Sequence, residues 1–399
     1  MIRRILALGL ALAVTSARGY GQGAAVTTPP PPIVFAPWQE VARTDLGVEY
    51  LVTFPSPFVS AYPANNSVPL RVFLPAIANP APVVLVLHYW GATDLRLERV
   101  LAEELNRRGI AAAILTLPYH LSRTPPGHRS GELAVQPDPD SLKATMIQSV
   151  WDSRRALDFL VTRPELRGDQ VGVAGTSLGA LVTGLVAAID PRIAHASFLL
   201  GGVDLAHILW SSSRVVPQRD VLRRRGVTED RLRATLADIE PLTYLEKHRP
   251  ASSFVIGGLF DTVIPRSSTE ALIKVLDTRN VLWLDTGHYG GIFVQRRLMR
   301  EVARYFGTSF TSADFVPPKK LYAPTVRLGF KVDTARGLDL GIGLDLYKFD
   351  RRGDGYATLF LTPRGPELFA GRRIAQGLSI GFVGSPRGLG GAILWSTVL

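Results

Sequence analysis

The sequence contains no cysteine, and this absence excludes several kinds of chemistry at once. Without thiols the chain forms no disulfide bonds, has no thiolate nucleophile and offers no cysteine for lipid attachment. A chain of 399 residues, 46% of them hydrophobic, is long enough to bury a core that is stable without such covalent links. The composition therefore predicts one large folded domain with a smaller one, or two domains of moderate size.

The sequence also lacks the signals of a membrane-spanning helix, a bound nucleotide and a metal centre. No stretch reaches the ~18 uncharged apolar residues that a membrane-spanning helix needs. Residues 201–203, Gly-Gly-Val, lack the rest of a P-loop or dinucleotide fingerprint. Four histidines show no ligand spacing with one another or with nearby carboxylates: His128, His195, His207 and His248. We therefore expect no cofactor and no metal ion.

Acidic residues are fewer than basic ones, 34 against 45, and the formal net charge is +11. The basic residues are mostly arginines, are scattered along the chain and form no compact run with interleaved aromatic residues. This distribution argues against nucleic-acid binding and predicts a solvated basic surface that attracts anionic glycans or lipid headgroups.

The first residues have the pattern of a secretory signal. Arg3 and Arg4 form a basic start, residues 5–14 form a short apolar run, and residues 15–17 are small. This pattern predicts a signal peptide over residues 1–23 and a secreted or periplasmic protein. The next segment, 24–47, includes four consecutive prolines and predicts an extended N-terminal segment.

From residue 48 to residue 306, strand and helix patterns alternate. An apolar run at 111–117 predicts a buried strand, and apolar residues at helical spacing over 95–108 and 140–162 predict helices. Such alternation is typical of an α/β protein, with a mostly parallel sheet covered by helices on both faces. Catalytic residues are then expected directly after strands, because ligands bind at the carboxyl ends of such strands. Residues 201–249 are charged and helical in pattern, which predicts an inserted cap or pocket wall.

After a predicted linker over 307–323, residues 324–399 change to strict alternation, as in 338–346. The pattern predicts an antiparallel β-meander with one apolar face, which we expect to pack against the larger domain or to form a small sandwich. Glycine-rich alternation is also typical of outer-membrane strands, but the segment has room for about five strands, and a closed outer-membrane barrel has at least about eight. Contact with a membrane surface and association with an outer membrane stay open as alternatives.

Residues 171–179 read Val-Gly-Val-Ala-Gly-Thr-Ser-Leu-Gly, a buried strand that ends in a Gly-x-Ser-x-Gly turn before an apolar helix. A serine on such a sharp turn projects its hydroxyl away from the backbone, and the glycines avoid collisions with the neighbouring strand and helix. Ser177 is therefore the candidate nucleophile. A plain tight turn between strand and helix is the alternative.

Asp261 and His288 each follow a later predicted strand. A serine hydroxyl needs an imidazole to take its proton, and the imidazole needs a carboxylate that fixes its tautomer. We therefore expect Ser177, His288 and Asp261 to meet. Asp285 and Asp204 also follow strands and are weaker candidates for the acid. Asp285 lies only three positions before His288, which is an awkward reach for pairing.

Residues 48–306 resemble the α/β-hydrolase superfamily, and most closely its dienelactone-hydrolase and prolyl-oligopeptidase-like esterase branch. The matching segments are Gly-Thr-Ser-Leu-Gly at 175–179, Asp-x-x-Ile-Pro at 261–265, Gly-His at 287–288, the helix pattern at 151–160 and Glu-Pro-Leu-Thr-Tyr at 240–244. The chain order Ser, Asp, His is the order that this topology produces. The resemblance implies a serine hydrolase that cleaves a carboxylic ester through an acyl-enzyme, and the pattern at residues 1–17 predicts that it is exported.

The same resemblance implies an oxyanion hole. In this family a His-Gly-x-Gly-like loop after the first buried strand supplies backbone N–H donors, and residues 88–91 of this chain read His-Tyr-Trp-Gly. The N–H groups of Leu178 and Trp90 are the expected donors, with that of Tyr89 second. Tyr89 stands where the family has glycine, which narrows the loop. His88 is expected to brace this loop.

The sequence leaves the substrate open, because no motif lies in the expected pocket walls at 118–140 and 201–249. A small-molecule, glycan or lipid ester fits the sequence, and the oligomeric state is not indicated. Two alternatives to an esterase remain. One is a serine peptidase of the same fold, and the other is a non-catalytic, envelope-associated binding protein with a vestigial hydrolase site.

Overall fold

The computed structural model describes residues 25–318, 320–321, 323–334, 337–349, 354–375, 377–386 and 388–398. The expected signal peptide, residues 1–23, lies outside the described residues and stays a prediction. Within the described ranges, no helix combines the length and the apolar character needed to cross a bilayer.

Ten strands of the described chain form one sheet. They are β1 (Gln39–Thr44), β2 (Gly47–Pro55), β3 (Ser67–Pro75), β4 (Ala81–Leu87), β5 (Ala111–Leu115), β6 (Leu166–Thr176), β7 (Ile193–Leu199), β8 (Ser252–Gly258), β9 (Val281–Leu284) and β10 (Lys320–Leu321). Their order across the sheet is β1-β2-β3-β5-β4-β6-β7-β8-β9-β10. Pairing is antiparallel from β1 through β3 to β5 and parallel from there on.

The α-helices of the described chain lie in the connections between these strands. They are α1 (Arg96–Asn106), α2 (Pro139–Leu160), α3 (Leu178–Ile189), α4 (Leu205–Ser211), α5 (Val216–Arg224), α6 (Glu229–Leu236), α7 (Pro241–Leu245), α8 (Arg266–Leu276) and α9 (Gln295–Ser309). The mostly parallel sheet flanked by helices confirms the predicted α/β class. The predicted insertion at 201–249 is occupied by α4 to α7, between β7 and β8.

Two apolar cores cover the two faces of the sheet, because successive side chains of a strand point to opposite faces. In β4, Leu85 belongs to the core that contains α2, α3 and α8. Its neighbours Val84 and Val86 belong to the core that contains α1 and α9. Burial on both faces explains why the central strands read as continuous apolar runs.

Two segments outside the expected domain boundaries contribute strands to the sheet. Residues 39–44, inside the predicted extended segment, form β1 and pair with β2. This pairing is possible because the prolines end before residue 39, which leaves the backbone N–H groups free to pair. In the predicted linker, residues 320–321 form β10 beside β9. The sheet therefore begins before residue 48 and ends after residue 306.

Six further strands form a separate antiparallel barrel. They are β11 (Val326–Asp333), β12 (Gly337–Lys348), β13 (Gly355–Thr362), β14 (Gly365–Ala375), β15 (Leu378–Ser385) and β16 (Gly388–Val398). The predicted meander is confirmed, but it has six strands rather than about five and closes into a barrel rather than a sandwich. Pairing of β11 with β16 closes the sheet, and most of the apolar side chains face outward rather than toward a core.

Candidate active site

Ser177 lies on the turn between β6 and α3 with a φ of 53° and a ψ of −113°. A non-glycine residue with positive φ is strained, so the surrounding packing must hold it. A Cβ on Gly175 would lie 2.2 Å from the carbonyl oxygen of Gly179, and a Cβ on Gly179 would lie 2.2 Å from that of Leu87 in β4. The two glycines therefore allow α3 to approach β4 closely and keep Ser177 at a sharp corner.

Ser177, His288 and Asp261 meet at the carboxyl edge of the sheet. His288 Nε2 lies 2.9 Å from Ser177 Oγ, and His288 Nδ1 lies 2.7 Å from Asp261 Oδ2. The second carboxylate oxygen of Asp261 accepts the N–H groups of Val263 at 2.8 Å and Ile264 at 2.9 Å. These bonds fix the carboxylate, so that Nδ1–H of His288 donates to Asp261 and the bare Nε2 faces the serine hydroxyl.

The other acid candidates lie in different contacts. The carboxylate of Asp285 accepts a hydrogen bond from the ammonium group of Lys348 at 2.9 Å. Asp204 caps α4 by accepting the N–H of His207 at 3.1 Å, and it pairs with Arg233 at 3.2 Å. Of the three carboxylates, the structure brings Asp261 to His288 and gives the other two partners of their own.

Two of the three residues expected to supply oxyanion donors, Tyr89 and Trp90, line the same cavity as Ser177 and His288. Among the described residues, neither of their backbone N–H groups has a hydrogen-bond acceptor. Leu178 is the first residue of α3, where the backbone N–H has no acceptor within the helix. The positive end of the helix dipole adds to the attraction for negative charge at this point.

Two buried histidines hold the loop at 88–91. His88 Nδ1 donates to the carbonyl of Tyr89 at 2.9 Å, and its Nε2 accepts the N–H of Leu117 at 3.0 Å. His120 accepts the N–H of Gly91 at 3.0 Å. Burial lowers the pKa of His88 to about 4 and that of His120 to about 3. Both rings are therefore neutral at pH 7, as these acceptor roles require.

His120 is a site residue to which the sequence assigned no definite role. Its Nδ1 donates to the carbonyl of Pro118 at 2.8 Å. A Cβ on Gly131 would lie 2.5 Å from His120 Nε2 and 2.8 Å from the nitrogen of Gly91. Gly131 is therefore required for this contact. The contact joins Gly91 to residues about 30 to 40 positions later in the chain, and no local sequence signal predicts it.

The cavity at Ser177 has a volume of about 490 Å³. Its lining includes the apolar side chains of Leu97, Leu298 and Met299 and the charged side chains of Asp94 and Arg96. A larger hollow of about 980 Å³ lies among residues of the barrel and includes neither Ser177 nor His288. The smaller cavity is the one that combines a nucleophile, a base and free N–H donors.

Arg214 also lines this cavity, and no sequence pattern predicts its role. Its guanidinium stacks 4.7 Å from the ring centre of Trp90 and 5.6 Å from that of Tyr289. It also donates to the carbonyl of Trp90 at 3.3 Å and to the hydroxyl of Tyr289. Arg214 therefore ties the predicted insertion to the oxyanion loop and to the residue after His288.

No family model matches the chain. Two curated proteins of Mycobacterium tuberculosis are each 27% identical to it over 200 residues: the uncharacterized proteins MT2702 of strain CDC 1551 / Oshkosh and Rv2627c of strain ATCC 25618 / H37Rv. The matched region is 48% of this chain and 45% of each relative, so the chain spans less than half the length of the curated relatives that it matches.

Solved structures are similar over the large domain. The acetyl xylan esterase from Paenibacillus sp. R4 has a TM-score of 0.55 and 19% identity, and the match covers 69% of this chain and 89% of that one. Acetyl xylan esterase 1 from Thermoanaerobacterium sp. JW/SL YS485 has a TM-score of 0.50 and 17% identity, with 67% and 87% covered. The chain has the α/β-hydrolase fold.

In this α/β-hydrolase fold the candidate residues follow neighbouring parallel strands. Ser177 follows β6, the loop at 88–91 follows the adjacent β4, and Asp261 and His288 follow β8 and β9. The arrangement can remove a proton from the serine hydroxyl at its imidazole. It can also stabilise negative charge on an oxygen bound beside the free N–H groups.

Proposed function

We propose that this chain is a serine hydrolase that cleaves carboxylic esters through an acyl-enzyme. The observation that carries the proposal is the hydrogen-bonded row from Ser177 Oγ through His288 to Asp261, at a cavity of substrate size. The α/β-hydrolase fold supports the proposal, because that fold presents a serine at this turn in many hydrolases.

In the first step, Ser177 Oγ attacks the carbonyl carbon of the ester while His288 Nε2 takes the hydroxyl proton. The π electrons of the ester carbonyl move to the carbonyl oxygen, and Asp261 stabilises the imidazolium that forms on His288. The imidazolium then gives its proton to the alcohol oxygen as the C–O bond breaks, which leaves the acyl group on Ser177. Water attacks the acyl-enzyme by the same route and releases the acid.

The negative oxygen of the tetrahedral intermediate is assigned to the N–H of Leu178 and to the N–H groups of Trp90 and Tyr89. The neutral rings of His88 and His120 hold the loop that carries two of these donors. Preorganised donors matter because each one is worth a factor of about 10² to 10³ in kcat in hydrolases with such a hole.

The mixed lining of the cavity fits an ester with a short or medium apolar group and a polar group. Leu97, Leu298 and Met299 offer apolar contacts, and Arg214 offers a polar one. The two solved structures described above are acetyl xylan esterases by name. We therefore propose short-chain esters of small molecules or glycans as the first substrates to test.

The test measures hydrolysis of p-nitrophenyl acetate, butyrate and octanoate. Wild type is expected to turn over at least one of them, and Ser177→Ala is expected to lower kcat by at least about 10⁴. Ser197→Ala is the matched control, because Ser197 is a buried serine of β7 whose hydroxyl has no hydrogen-bond partner in the described structure. Equal activity of Ser177→Ala and wild type contradicts the proposal.

Export is a second part of the proposal and rests on the sequence pattern at residues 1–17. Full-length protein with a C-terminal tag, produced in a Gram-negative host, is expected in the periplasm or the medium with its N-terminus shortened. N-terminal peptide mass spectrometry makes the measurement. A cytoplasmic product that retains residues 5–14 contradicts this part alone.

A further inference from the structure

The outside of the barrel formed by β11 to β16 is apolar. Side chains alternate between the two sides of each strand, and the outward set has large apolar members on all six strands: Leu328, Phe330, Val332, Leu338, Leu340, Ile342, Leu344, Leu346, Leu359, Leu361, Leu368, Ile374, Ile380, Phe382, Leu389, Ile393 and Trp395. Leu340 is 63% exposed and Phe382 is 70% exposed. The polar side chains among the described outward strand positions are Arg372 and Thr397, with the amphipathic Tyr347 at one end.

Charged groups lie inside the barrel. Arg327 forms a two-pronged ion pair with Asp345 at 2.7 and 2.8 Å near one end. Near the other end, Lys331 pairs with Asp333 and lies 2.9 Å from Glu367. Phe360, Phe369 and Leu394 fill the space between these clusters. A small barrel in water has the opposite arrangement, because burying charge costs free energy and burying apolar surface stabilises.

The barrel meets the backbone requirement of a lipid environment. Each strand pairs with two neighbours, and the pairing of β11 with β16 removes the free edges. In hydrocarbon no water satisfies an unpaired N–H or C=O group, so a sheet is stable there only when it closes. Six strands are fewer than the ~8 of the smallest outer-membrane barrels. The interior is filled by side chains such as Phe360 and Phe369, so the barrel is suited to anchoring rather than to conduction.

The height of the apolar surface is comparable to a bilayer core. The five outward residues of β12 run from Leu338 to Leu346, which is about 26 Å of strand at ~3.3 Å per residue. A strand tilted by about 40° then covers roughly 20 Å along the membrane normal, close to the apolar band of ~25 Å on outer-membrane barrels. The strands contain between 8 and 12 residues, which is near the ~9 to 11 that such a crossing needs.

The charges outside the apolar surface are complementary to anionic lipid. Residues 324–399 carry ten basic and six acidic side chains, and four of the acidic ones, Asp333, Asp339, Asp345 and Glu367, are buried inside. Among the described residues, Arg372 is exposed on the outside of β14, and Arg364, between β13 and β14, is about half exposed and lies 3.3 Å from Asp339. Arginines next to an apolar surface bind the phosphate groups of anionic headgroups.

We propose that the outer surface of the barrel inserts into a phospholipid bilayer and anchors the hydrolase domain at its surface. A second copy of the chain is a weaker occupant, because an ordinary protein interface buries about 800 Å² per partner and covers one side. The apolar side chains here surround the barrel. The end at Lys348 is held to the hydrolase domain through Asp285, which precedes His288 by three residues. This contact connects the anchor to the edge of the sheet that carries the active site.

The first test is flotation of the full chain with vesicles in a density gradient. Vesicles of phosphatidylcholine alone and vesicles with 30% phosphatidylglycerol are the probes. Wild type is expected to float with both and more completely with the anionic vesicles. Leu340→Asp combined with Ile342→Asp is expected to lower the floating fraction at least tenfold. The matched control, Val34→Asp with Ile77→Asp, makes the same charge change at exposed apolar positions of the hydrolase domain and is expected to float like wild type.

The second test separates insertion from surface contact. Trp395 lies on the outside of the barrel and is 52% exposed, so lipids with brominated acyl chains are expected to quench its fluorescence. Wild type is expected to lose more intensity than Trp395→Phe, because the variant lacks the tryptophan that faces the acyl chains. Neither readout depends on esterase activity, so failure of the proposed function leaves this test intact.

Three outcomes overturn the proposal. One is wild type that stays at the bottom of the gradient with both vesicle types. Another is equal quenching of wild type and Trp395→Phe. The third is a discrete dimer in detergent-free buffer that the Leu340→Asp, Ile342→Asp double variant abolishes, in the absence of flotation. That last result assigns the apolar surface to a second copy of the chain.

Discussion

Ser177 adopts a positive-φ conformation that costs on the order of 1–3 kcal/mol, and the close packing of α3 against β4 maintains it. Asp261 is held in a similar way, since two backbone N–H groups bind the oxygen that does not face His288. Both residues were predictable from local sequence, because Ser177 lies in a Gly-x-Ser-x-Gly turn and Asp261 directly follows a predicted strand. Arg214 and His120 were not predictable in the same way. Their partners are Trp90 and Gly91, far away in sequence, and the fold alone brings them together.

The choice among the three acid candidates gives a prediction at the residue scale. Asp261→Asn removes the negative charge that stabilises the imidazolium of His288 and favours the wrong tautomer. We expect kcat to fall by about 10³ to 10⁴, judged from the same change in serine proteases. Asp285→Asn and Asp204→Asn are expected to keep kcat within about threefold, because neither contacts His288. Steady-state kinetics decides the matter, and a large loss in Asp285→Asn with none in Asp261→Asn reverses the assignment.

The glycine after Ser177 gives a second prediction. Gly179→Ala places a Cβ 2.2 Å from the carbonyl oxygen of Leu87, which is backbone and has no room to move away. We expect a loss of about 1–3 kcal/mol in the free energy of unfolding and lower activity, because α3 carries the N–H of Leu178. Gly307→Ala in α9 is the control, since its nearest atom is a side-chain carbon 3.6 Å away. Urea denaturation measures both, and equal midpoints for the two variants contradict the explanation.

The segments that carry the site are joined by a buried ion pair. Arg123 and Asp152 are fully buried and 2.8 Å apart, and Arg123 also donates to the carbonyls of Asn65 at 2.6 Å and Thr116 at 2.8 Å. These contacts fix α2 to the loop that contains His120, which in turn holds the oxyanion loop. The long helix was predictable over 140–162 from its apolar spacing, and in the structure it begins at Pro139 with Asp138 as its N-cap. Its buried charge was not, because a helix pattern does not show which polar residue finds a partner.

Asp152→Asn therefore tests whether this pair supports the site. Removal of one partner leaves the guanidinium of Arg123 buried without its counter-charge, and we expect a loss of about 3–5 kcal/mol in unfolding free energy. Activity is expected to be lost at a lower urea concentration than in wild type. Glu40→Gln breaks an exposed pair with Arg43 and is expected to leave the urea midpoint unchanged. A midpoint for Asp152→Asn equal to that of wild type contradicts the role given to this pair.

At the scale of the whole molecule, the sequence predicted the α/β domain and the antiparallel C-terminal strands. It did not predict the closure of the barrel or the direction of its apolar side. Alternation shows that a strand has two different faces, but it does not show which face lies inside when charged side chains pair there. The alternation of β14 is interrupted by Pro366 and by Arg372-Arg373, and Arg373 is paired with Asp354.

The pH dependence of stability is a property of the whole domain and depends on buried titratable groups. Burial raises the pKa of Glu98 to about 7, and neither of its carboxyl oxygens has a hydrogen-bond partner in the described structure. The folded state therefore binds this proton more tightly than the unfolded state. The resulting stabilisation is complete below the unfolded pKa of about 4.5 and is lost as the pH rises through 7. Folding lowers the pKa values of His88 and His120, so the unfolded state binds their protons more tightly. Stability therefore also falls as the pH drops from about 6.5 toward 4.

Glu98→Gln isolates the first of these effects, because an amide does not ionise. The melting temperature of the variant minus that of wild type is expected to rise between pH 5 and pH 9. The change corresponds to on the order of 2 kcal/mol of unfolding free energy. Calorimetry across this range makes the measurement. A difference that stays constant with pH shows that Glu98 does not titrate as proposed.

The most direct test of the account is the site of covalent labelling by a fluorophosphonate, read by intact mass and peptide mapping of the folded full chain. The account predicts one adduct per chain on Ser177, no adduct in Ser177→Ala, and labelling slowed at least about 100-fold in His288→Ala, because the hydroxyl then lacks its base. An unlabelled wild type, an adduct on another residue, or an undiminished rate in His288→Ala would contradict the claim that these side chains form a working nucleophile.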